Sequence, residues 1–304
     1  MSSPVRARVA VVIVDYHAFS FIQECVSSLV SPLIDSITIV DNSCAPSETE
    51  LLHGLERSDG RIKVVTAPSN LGFARGSNLG VDQTVSDGSD IIWALNPDTR
   101  VAAGAVEQLV RCLDAGVTDI ISPLITTGDG ATIWFAGGEF DTRRGVSWHW
   151  RKGESVDGVR DGLLASDFIT GAAPMMYRRT WSVIGGFPDD LFLYWEDALF
   201  SRRARELGFR MHVTPEARVW HAQGGSTGEP GGGNGPGYYY YNQRNRILTC
   251  GRPGNLLLGA GARETARLLL APLVRDSKPR APKFWASVRG IVDGVRGRHG
   301  RGPY

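Results

Sequence analysis

A short, continuous, β-branched run near the start of the chain constrains the fold most, because three more strand-length runs follow it. Residues 9–14 read Val-Ala-Val-Val-Ile-Val, and residues 36–40, 61–65 and 91–95 are further Val- and Ile-bearing runs. Apolar character that is continuous, not alternating, belongs to strands buried on both faces. Helical patterns fall between them at residues 19–30 and 47–57, after the loop 70–78, and at 103–113; residues 119–121 make a further strand. Ser47, with Glu50 three residues on, has the form of a capping box. Strand alternating with helix through residue 123 predicts an α/β fold with a parallel-rich sheet and right-handed crossovers. In such sheets a ligand lies beyond the carboxyl ends of the strands. Those ends carry Asp15-Tyr16, Asp41-Asn42 and Asn96-Pro97-Asp98. The fingerprints GxGxxG and GxxxxGK[ST] are missing, which disfavours a dinucleotide dehydrogenase or a P-loop NTPase.

After residue 123 the pattern changes. Residues 132–136 and 145–150 read as short aromatic strands in hairpins, 168–177 as an apolar return to the main sheet, and 178–184 as a helix. Strands at 210–214 and 217–221 follow, then eight glycines within residues 224–237, expected as a mobile loop, and a helix over 238–249. Between these lies Leu193-Tyr-Trp-Glu-Asp197, opening a helix whose apolar face is Phe200, Ala204 and Leu207 and whose stop is Gly208. The pattern divides the chain into residues 1–123, residues 124–250 and a basic helical extension over 251–304.

At 304 residues, 42% hydrophobic and 21% charged, the chain has the composition of a soluble globular protein. No apolar run precedes Val9, no spanning segment is evident, and Cys25, Cys44, Cys112 and Cys250 are scattered without metal spacing. A cytoplasmic protein with reduced thiols is expected. Net charge is +1, yet residues 251–304 hold eleven Lys or Arg against Glu264, Asp276 and Asp293, a local balance of +8. That asymmetry predicts either peripheral contact with an anionic membrane face or a solvated helix pair closing the fold; nucleic acid is not expected.

Several constellations bear chemistry. Asn96-Pro97-Asp98 is a strand-end pair two residues apart that can aim hard oxygen ligands at Mg²⁺ or Mn²⁺; the alternative is an Asn-Pro turn. Asp41-Asn42 suits a ribose or base edge, or an Asx turn. Asn70, Gly72, Arg75 and Asn78 can bring amides and a cation to a phosphate at a helix start, or simply ease a loop. His221 closes a metal site or packs; Arg244 and Arg246 neutralise phosphate or lie on a solvated face. Glu196 and Asp197 either complement a helix dipole or place a general base at a cleft rim beside Tyr194 and Trp195.

Taken in order, Val-Ile-Val-Asp-Tyr16, Ile-Val-Asp-Asn-Ser43, Asn70-Leu-Gly-Phe-Ala-Arg-Gly-Ser-Asn78, Leu-Asn-Pro-Asp-Thr99, Gly-Gly-Phe187, Tyr-Trp-Glu-Asp197 and His221-Ala-Gln-Gly-Gly-Ser resemble a family 2 glycosyltransferase of the GT-A fold. The likeness spans roughly residues 9–250 and is strongest to the rhamnosyltransferase-like branch, with galactofuranosyltransferases as relatives. The resemblance implies inverting transfer from a nucleoside-diphosphate sugar to a hydroxyl acceptor, either a lipid-linked glycan or a small molecule. L-Rhamnose from dTDP-rhamnose is the first expectation for the sugar. It implies a divalent metal at Asn96 and Asp98, in the DXD position, with His221 as a further ligand. Asp15, Tyr16, Asp41, Asn70, Gly72, Arg75, Asn78 and Asn96 would meet the donor, and Arg244 and Arg246 its phosphates. Gly171, Tyr194 and Trp195 would meet the acceptor. Asp197 would be the base, with Glu196 orienting or supporting it. The chain departs from the family pattern in having Asn96 at the first DXD position, Asp15-Tyr16-His17 after the first strand, and Pro188-Asp189 after Phe187. A sugar-1-phosphate nucleotidyltransferase, which would need a Gly-rich basic loop after the first strand, and an inactive glycan- or nucleotide-binding module are the alternatives.

Overall fold

The computed structural model describes residues 8–84, 88–222, 234–250, 253–274 and 279–304. The four opening strands form as expected: β1 (Val9–Asp15), β2 (Ile34–Asp41), β3 (Ile62–Thr66) and β4 (Ile91–Leu95) lie parallel in the order β3-β2-β1-β4. All seven residues of β1 are buried, which explains why its run does not alternate. Helices α1 (Phe19–Ser28), α2 (Pro46–Ser58) and α3 (Gly72–Gln83) connect these strands. After the edge strand β5 (Thr99–Val101), α4 (Ala105–Asp114) buries Leu109 and Leu113 against the sheet, each worth about 1.5–3 kcal/mol.

β6 (Ile120–Thr127), β7 (Thr132–Phe135), the hairpin β8 (Gly138–Asp141) with β9 (Val146–His149), and β10 (Leu164–Ala165) come next. β11 (Met175–Tyr177) then inserts between β4 and β6, antiparallel to both. The apolar stretch 168–177 thus does rejoin the sheet, but only its last three residues are strand. Helices α5 (Arg178–Ile184) and α6 (Glu196–Glu206) lead to β12 (Met211–His221). The two strands expected at 210–214 and 217–221 are one, with a register shift between Thr214 and Arg218 around Pro215. The glycine-rich loop lies outside the described residues over 223–233.

Two local expectations are corrected. No capping box opens α2, because Pro46 supplies the pre-set first-turn geometry and Ala45 caps without a side-chain bond; Glu50 instead pairs with Arg57 on the surface. Leu207 is not on the buried face of α6; it caps the helix and is 53% exposed.

The chain ends in α7 (Pro236–Cys250), α8 (Pro253–Leu257), α9 (Ala262–Val274) and α10 (Arg280–Val295). α10 lies directly on α7: a Cβ at Gly290 would stand 2.3 Å from the Tyr240 carbonyl oxygen, so only glycine allows this approach. Tyr240 Oη donates to Asp293 Oδ2 at 2.8 Å, and Arg298 Nη1 donates to Asp293 Oδ1 at 2.9 Å. Lys283 is fully buried. All four cysteines are unpaired. Among the described residues, no helix is long and apolar enough to cross a membrane.

Candidate active site

The parallel register sets Asp15 beside Asp41 at the ends of β1 and β2. Both are fully buried. Asp15 Oδ1 accepts from the Ala18 N–H at 3.0 Å while Oδ2 has no partner, and burial pushes its carboxyl up to about 7. Asp41 Oδ1 accepts from Ser43 N–H (3.0 Å) and Oγ (2.6 Å), and its Oδ2 accepts from Thr49 Oγ1. These two buried acids stand side by side at the strand ends, and Tyr16 next to them is 37% exposed.

Asn42 ties the second strand to the α3 loop. Its Nδ2 donates to Asn70 Oδ1 and to the Gly72 carbonyl, both at 3.1 Å, and its Oδ1 accepts from Leu71 N–H at 2.8 Å. Asn70 Oδ1 also accepts from Gly72 N–H at 2.9 Å. Gly72 has φ 77°, and a Cβ there would overlap the Phe192 carbonyl oxygen at 2.1 Å, so this glycine lets α3 meet the loop before α6. Asn78 does not face a donor. Its amide pairs with the Phe187 backbone in both directions (2.8 and 3.0 Å), which fixes the Gly-Gly-Phe turn. Arg75 is exposed on α3.

At the end of β4, Asp98 Oδ1 stands 3.0 Å from His221 Nε2, and Asn96 Nδ2 stands 3.4 Å from the same nitrogen. Asp98 and His221 are both buried, and His221 Nδ1 has no partner. A carboxylate, an imidazole and an amide converging this closely fit one divalent cation of the kind that accepts oxygen and nitrogen ligands. Among the described residues, no cluster of three or more His, Cys, Asp or Glu exists. Asp98 and His221, with Asn96, thus make at most part of a ligand set.

Three residues around this triad, Trp134, His149 and Lys152, escaped the sequence reading. The Trp134 ring lies 4.6 Å from that of His221 and 4.9 Å from that of His149. Burial pulls His149 down to about 4, so it is neutral at neutral pH. Lys152 Nζ stands 5.7 Å from the Trp134 ring centroid, pairs with no carboxylate among the described residues, and is lowered by partial burial. Lys152 thus sets a positive charge near the Trp134 ring, which itself packs on His221.

Across the cleft, Glu196 and Asp197 open α6. Asp197 Oδ2 accepts from Gly171 N–H at 3.2 Å, and its Oδ1 accepts from Ala198 N–H at 2.8 Å. Gly171 therefore acts through its amide, orienting Asp197. Burial raises both carboxyls above the ordinary range, Glu196 further because Asp197 repels its charged form; Glu196 Oε2 has no partner. Two buried carboxyls on neighbouring residues thus resist carrying two charges at once. A cleft of about 240 Å³ lies against Asp197, lined also by Tyr194, Trp195, His149 and Asn242.

The loop before α6 is strained. Phe192, Tyr194 and Trp195 have φ of 68°, 66° and 74°, in the left-handed region that L-residues avoid at roughly 1–2 kcal/mol each. Asn245 Nδ2, from α7, lies 2.9, 2.7 and 2.9 Å from the carbonyl oxygens of Leu191, Leu193 and Tyr194. Arg244 donates to the carbonyls of Leu191 (2.8 Å) and Gly300 (2.7 Å) and to Asn245 Oδ1 (2.8 Å). Arg246 donates to the carbonyls of Gly145 (2.6 Å) and Arg144 (2.6 Å) and to Thr265 Oγ1 (2.5 Å). Both arginines are buried, so the expectation that they meet phosphate is corrected: they tie the loop before α6 and the β8–β9 turn to the C-terminal segment.

A parallel-rich sheet with a strand-end Asn-Pro-Asp facing a histidine, and a carboxylate across the cleft, define a GT-A glycosyltransferase. The chain belongs to glycosyl transferase family 2, whose model matches residues 10–181. It is similar to the dTDP-rhamnosyl transferase RfbF of Shigella flexneri, 20% identical over 274 residues and covering 88% of each chain. Galactofuranosyltransferase GlfT1 of Mycobacterium tuberculosis is 25% identical over 273 residues, 85% of this chain and 86% of that one. In fold it resembles GalNAc-T7 with UDP, GalNAc and Mn²⁺, at a TM-score of 0.64 and 14% identity; 97% of this chain aligns, to 59% of that longer one. It also resembles the mannosyltransferase PcManGT of Pyrobaculum calidifontis in complex with GDP-Man and Mn²⁺ (TM-score 0.59, 13% identity, 97% of this chain and 89% of that one). Family membership sets aside the nucleotidyltransferase and inactive-module alternatives.

Proposed function

We propose that this enzyme transfers a sugar from a nucleoside diphosphate to a hydroxyl acceptor with inversion, in one displacement, with Asp197 as general base. The acceptor oxygen attacks the anomeric carbon, the bond to the diphosphate breaks, and the hydroxyl proton passes to Asp197. The observation that carries this reading is the Asp197 carboxylate, fixed by two backbone N–H groups at the wall of the cleft. Glu196 keeps its proton and holds the pair at a single negative charge. Tyr194 and Trp195 offer aromatic walls to the acceptor, and Tyr16 the exposed edge to the donor. Residues 1–123 serve as the donor half and 124–250 as the acceptor half.

Asp98 and His221, with Asn96, would hold a divalent cation, Mg²⁺ or Mn²⁺. When bound, such an ion supplies positive charge against the diphosphate. Lys152 adds a second positive charge from this chain. The donor sugar is L-rhamnose on dTDP, a choice supported by the name of the Shigella relative. A thermal-shift screen of nucleoside diphosphates and their sugars, with and without Mn²⁺, tests the donor reading. The expected result is stabilisation by dTDP-rhamnose only when Mn²⁺ is present. Lys152→Met should weaken that response and lower kcat/KM roughly tenfold or more, the loss of one charge-assisted contact. If no nucleotide sugar moves the unfolding temperature under either condition, the donor reading is wrong.

Peripheral membrane contact is proposed for α9 and α10, where Val274 and Trp285 are 72% and 64% exposed within the basic C-terminal segment. Each Lys or Arg near an anionic leaflet adds about 1 kcal/mol. Val274→Ser with Trp285→Ser should cut co-sedimentation with anionic vesicles roughly tenfold. Unchanged co-sedimentation would dismiss the membrane role.

A further inference from the structure

The cleft beside Asp197 does not end there. Val146, Ser147, Glu264 and Arg267 wall both it and a second groove of about 590 Å³, to which Arg144 and Arg263 are added. The two spaces are parts of one trough that begins at Asp197 and runs outward between the β8–β9 hairpin and α9.

The outer part is unusually basic. Arg267 Nε donates to Glu264 Oε2 at 2.8 Å, and Arg144 Nε stands 3.8 Å from Asp141. Arg263 makes no ion pair among the described residues. Three guanidiniums therefore face one close carboxylate and one distant one, and the trough keeps a positive balance. Guanidinium forks match phosphate oxygens two at a time. Three guanidiniums against two carboxylates leave a surplus of one positive charge, and a phosphate has oxygens enough to meet more than one fork at once, which a carboxylate does not.

We infer that the outer groove is a subsite for a phosphate or diphosphate group on the acceptor. It rests on the reading of Asp197 as the acceptor-side base. The acceptor hydroxyl sits at Asp197, and its phosphate lies further along the same trough among Arg144, Arg263 and Arg267. That phosphate belongs to either a soluble sugar phosphate or a lipid-linked glycan, and both present the same group to the arginines.

The test is equilibrium binding to the full chain, with the donor site filled by a nucleoside diphosphate and Mn²⁺. The probes are glucose 1-phosphate, farnesyl diphosphoglucose and uncharged methyl glucoside. Both phosphorylated probes should bind at least about tenfold more tightly than methyl glucoside, as expected for charge-assisted contacts. The tighter of the two identifies the phosphate's source. Arg144→Gln with Arg263→Gln should abolish the preference. Arg263→Gln alone, which leaves the Arg144–Arg246 region intact, should halve the binding free energy difference and serves if the double variant unfolds. Equal binding of charged and uncharged probes, or a preference that survives in both variants, overturns the subsite. Normal transfer by Asp197→Asn would instead overturn the base reading, and the phosphate preference is measured without any transfer.

Discussion

Asp197→Asn lowers kcat by on the order of 10² to 10⁴, the usual cost of losing a positioned general base. The amide keeps the shape of the carboxylate but cannot take the acceptor's proton. Donor binding, read by thermal shift with dTDP-rhamnose and Mn²⁺, should persist, since the proposed reading assigns the donor to Asp98, His221 and Lys152 and not to Asp197. Near-normal transfer by a variant that still binds donor would remove Asp197 from the mechanism. The same carboxylate predicts the pH profile. Burial raises its pKa, so the acid limb of kcat/KM should fall above the ordinary aspartate value of about 3.9. Stability runs the other way. A carboxyl whose folded pKa is raised contributes stability that is complete below its unfolded value and is lost as pH climbs through the folded one. Activity therefore rises with pH through the window in which Glu196 and Asp197 cost the fold stability. Because Oδ1 and Oδ2 each accept a backbone N–H, the Asn amide nitrogen must face one of them at a cost that does not depend on pH, so the expected signature is in the slope: Asp197→Asn should lose less stability than the native chain between pH 4 and pH 8.

The first 123 residues were legible in the sequence because their signals are local. Continuous β-branched runs mark strands buried on both faces, and a parallel register then brings Asp15, Asp41 and Asp98 to one edge without any further information. What the sequence could not convey is which polar groups spend themselves on the protein. Asn78 and Arg244 carry the right chemistry for a phosphate, yet one pairs with the Phe187 backbone and the other with carbonyls 53 and 56 residues away in the chain. Long-range bonds of that kind leave no periodicity. Lys152 was missed for the opposite reason, since a lone lysine in a turn looks solvated until Trp134, the ring that packs on His221, is seen beside it. The two strands around Pro215 were read as separate because a proline there suggests a break, whereas a register shift accommodates it within one strand.

Asn245 shows how far the site depends on such bonds, and Asn245→Asp should expose it. The substitution is isosteric, but it replaces a donor amide with a carboxylate that faces the carbonyl oxygens of Leu191, Leu193 and Tyr194 in a fully buried place. Each carbonyl left without its donor costs about 1–3 kcal/mol, and burying the new acid adds to that. A loss of roughly 3 kcal/mol or more is expected, which for a chain of this size lowers the unfolding temperature by roughly 6–12 °C. The chemistry should suffer separately. Phe192, Tyr194 and Trp195 hold left-handed backbone only while something compensates for it, and Asn245 is the group that bonds across that loop. Once released, the loop no longer fixes the start of α6, and Asp197 drifts from Gly171. Misplacement by about 1 Å is enough to cost about 10²-fold in rate. Measured well below its lowered unfolding temperature, the variant should therefore show a depressed kcat with a little-changed donor KM. Full kcat in a destabilised variant would mean that the strained loop serves folding alone, and that Asp197 is held by α6 without help from α7.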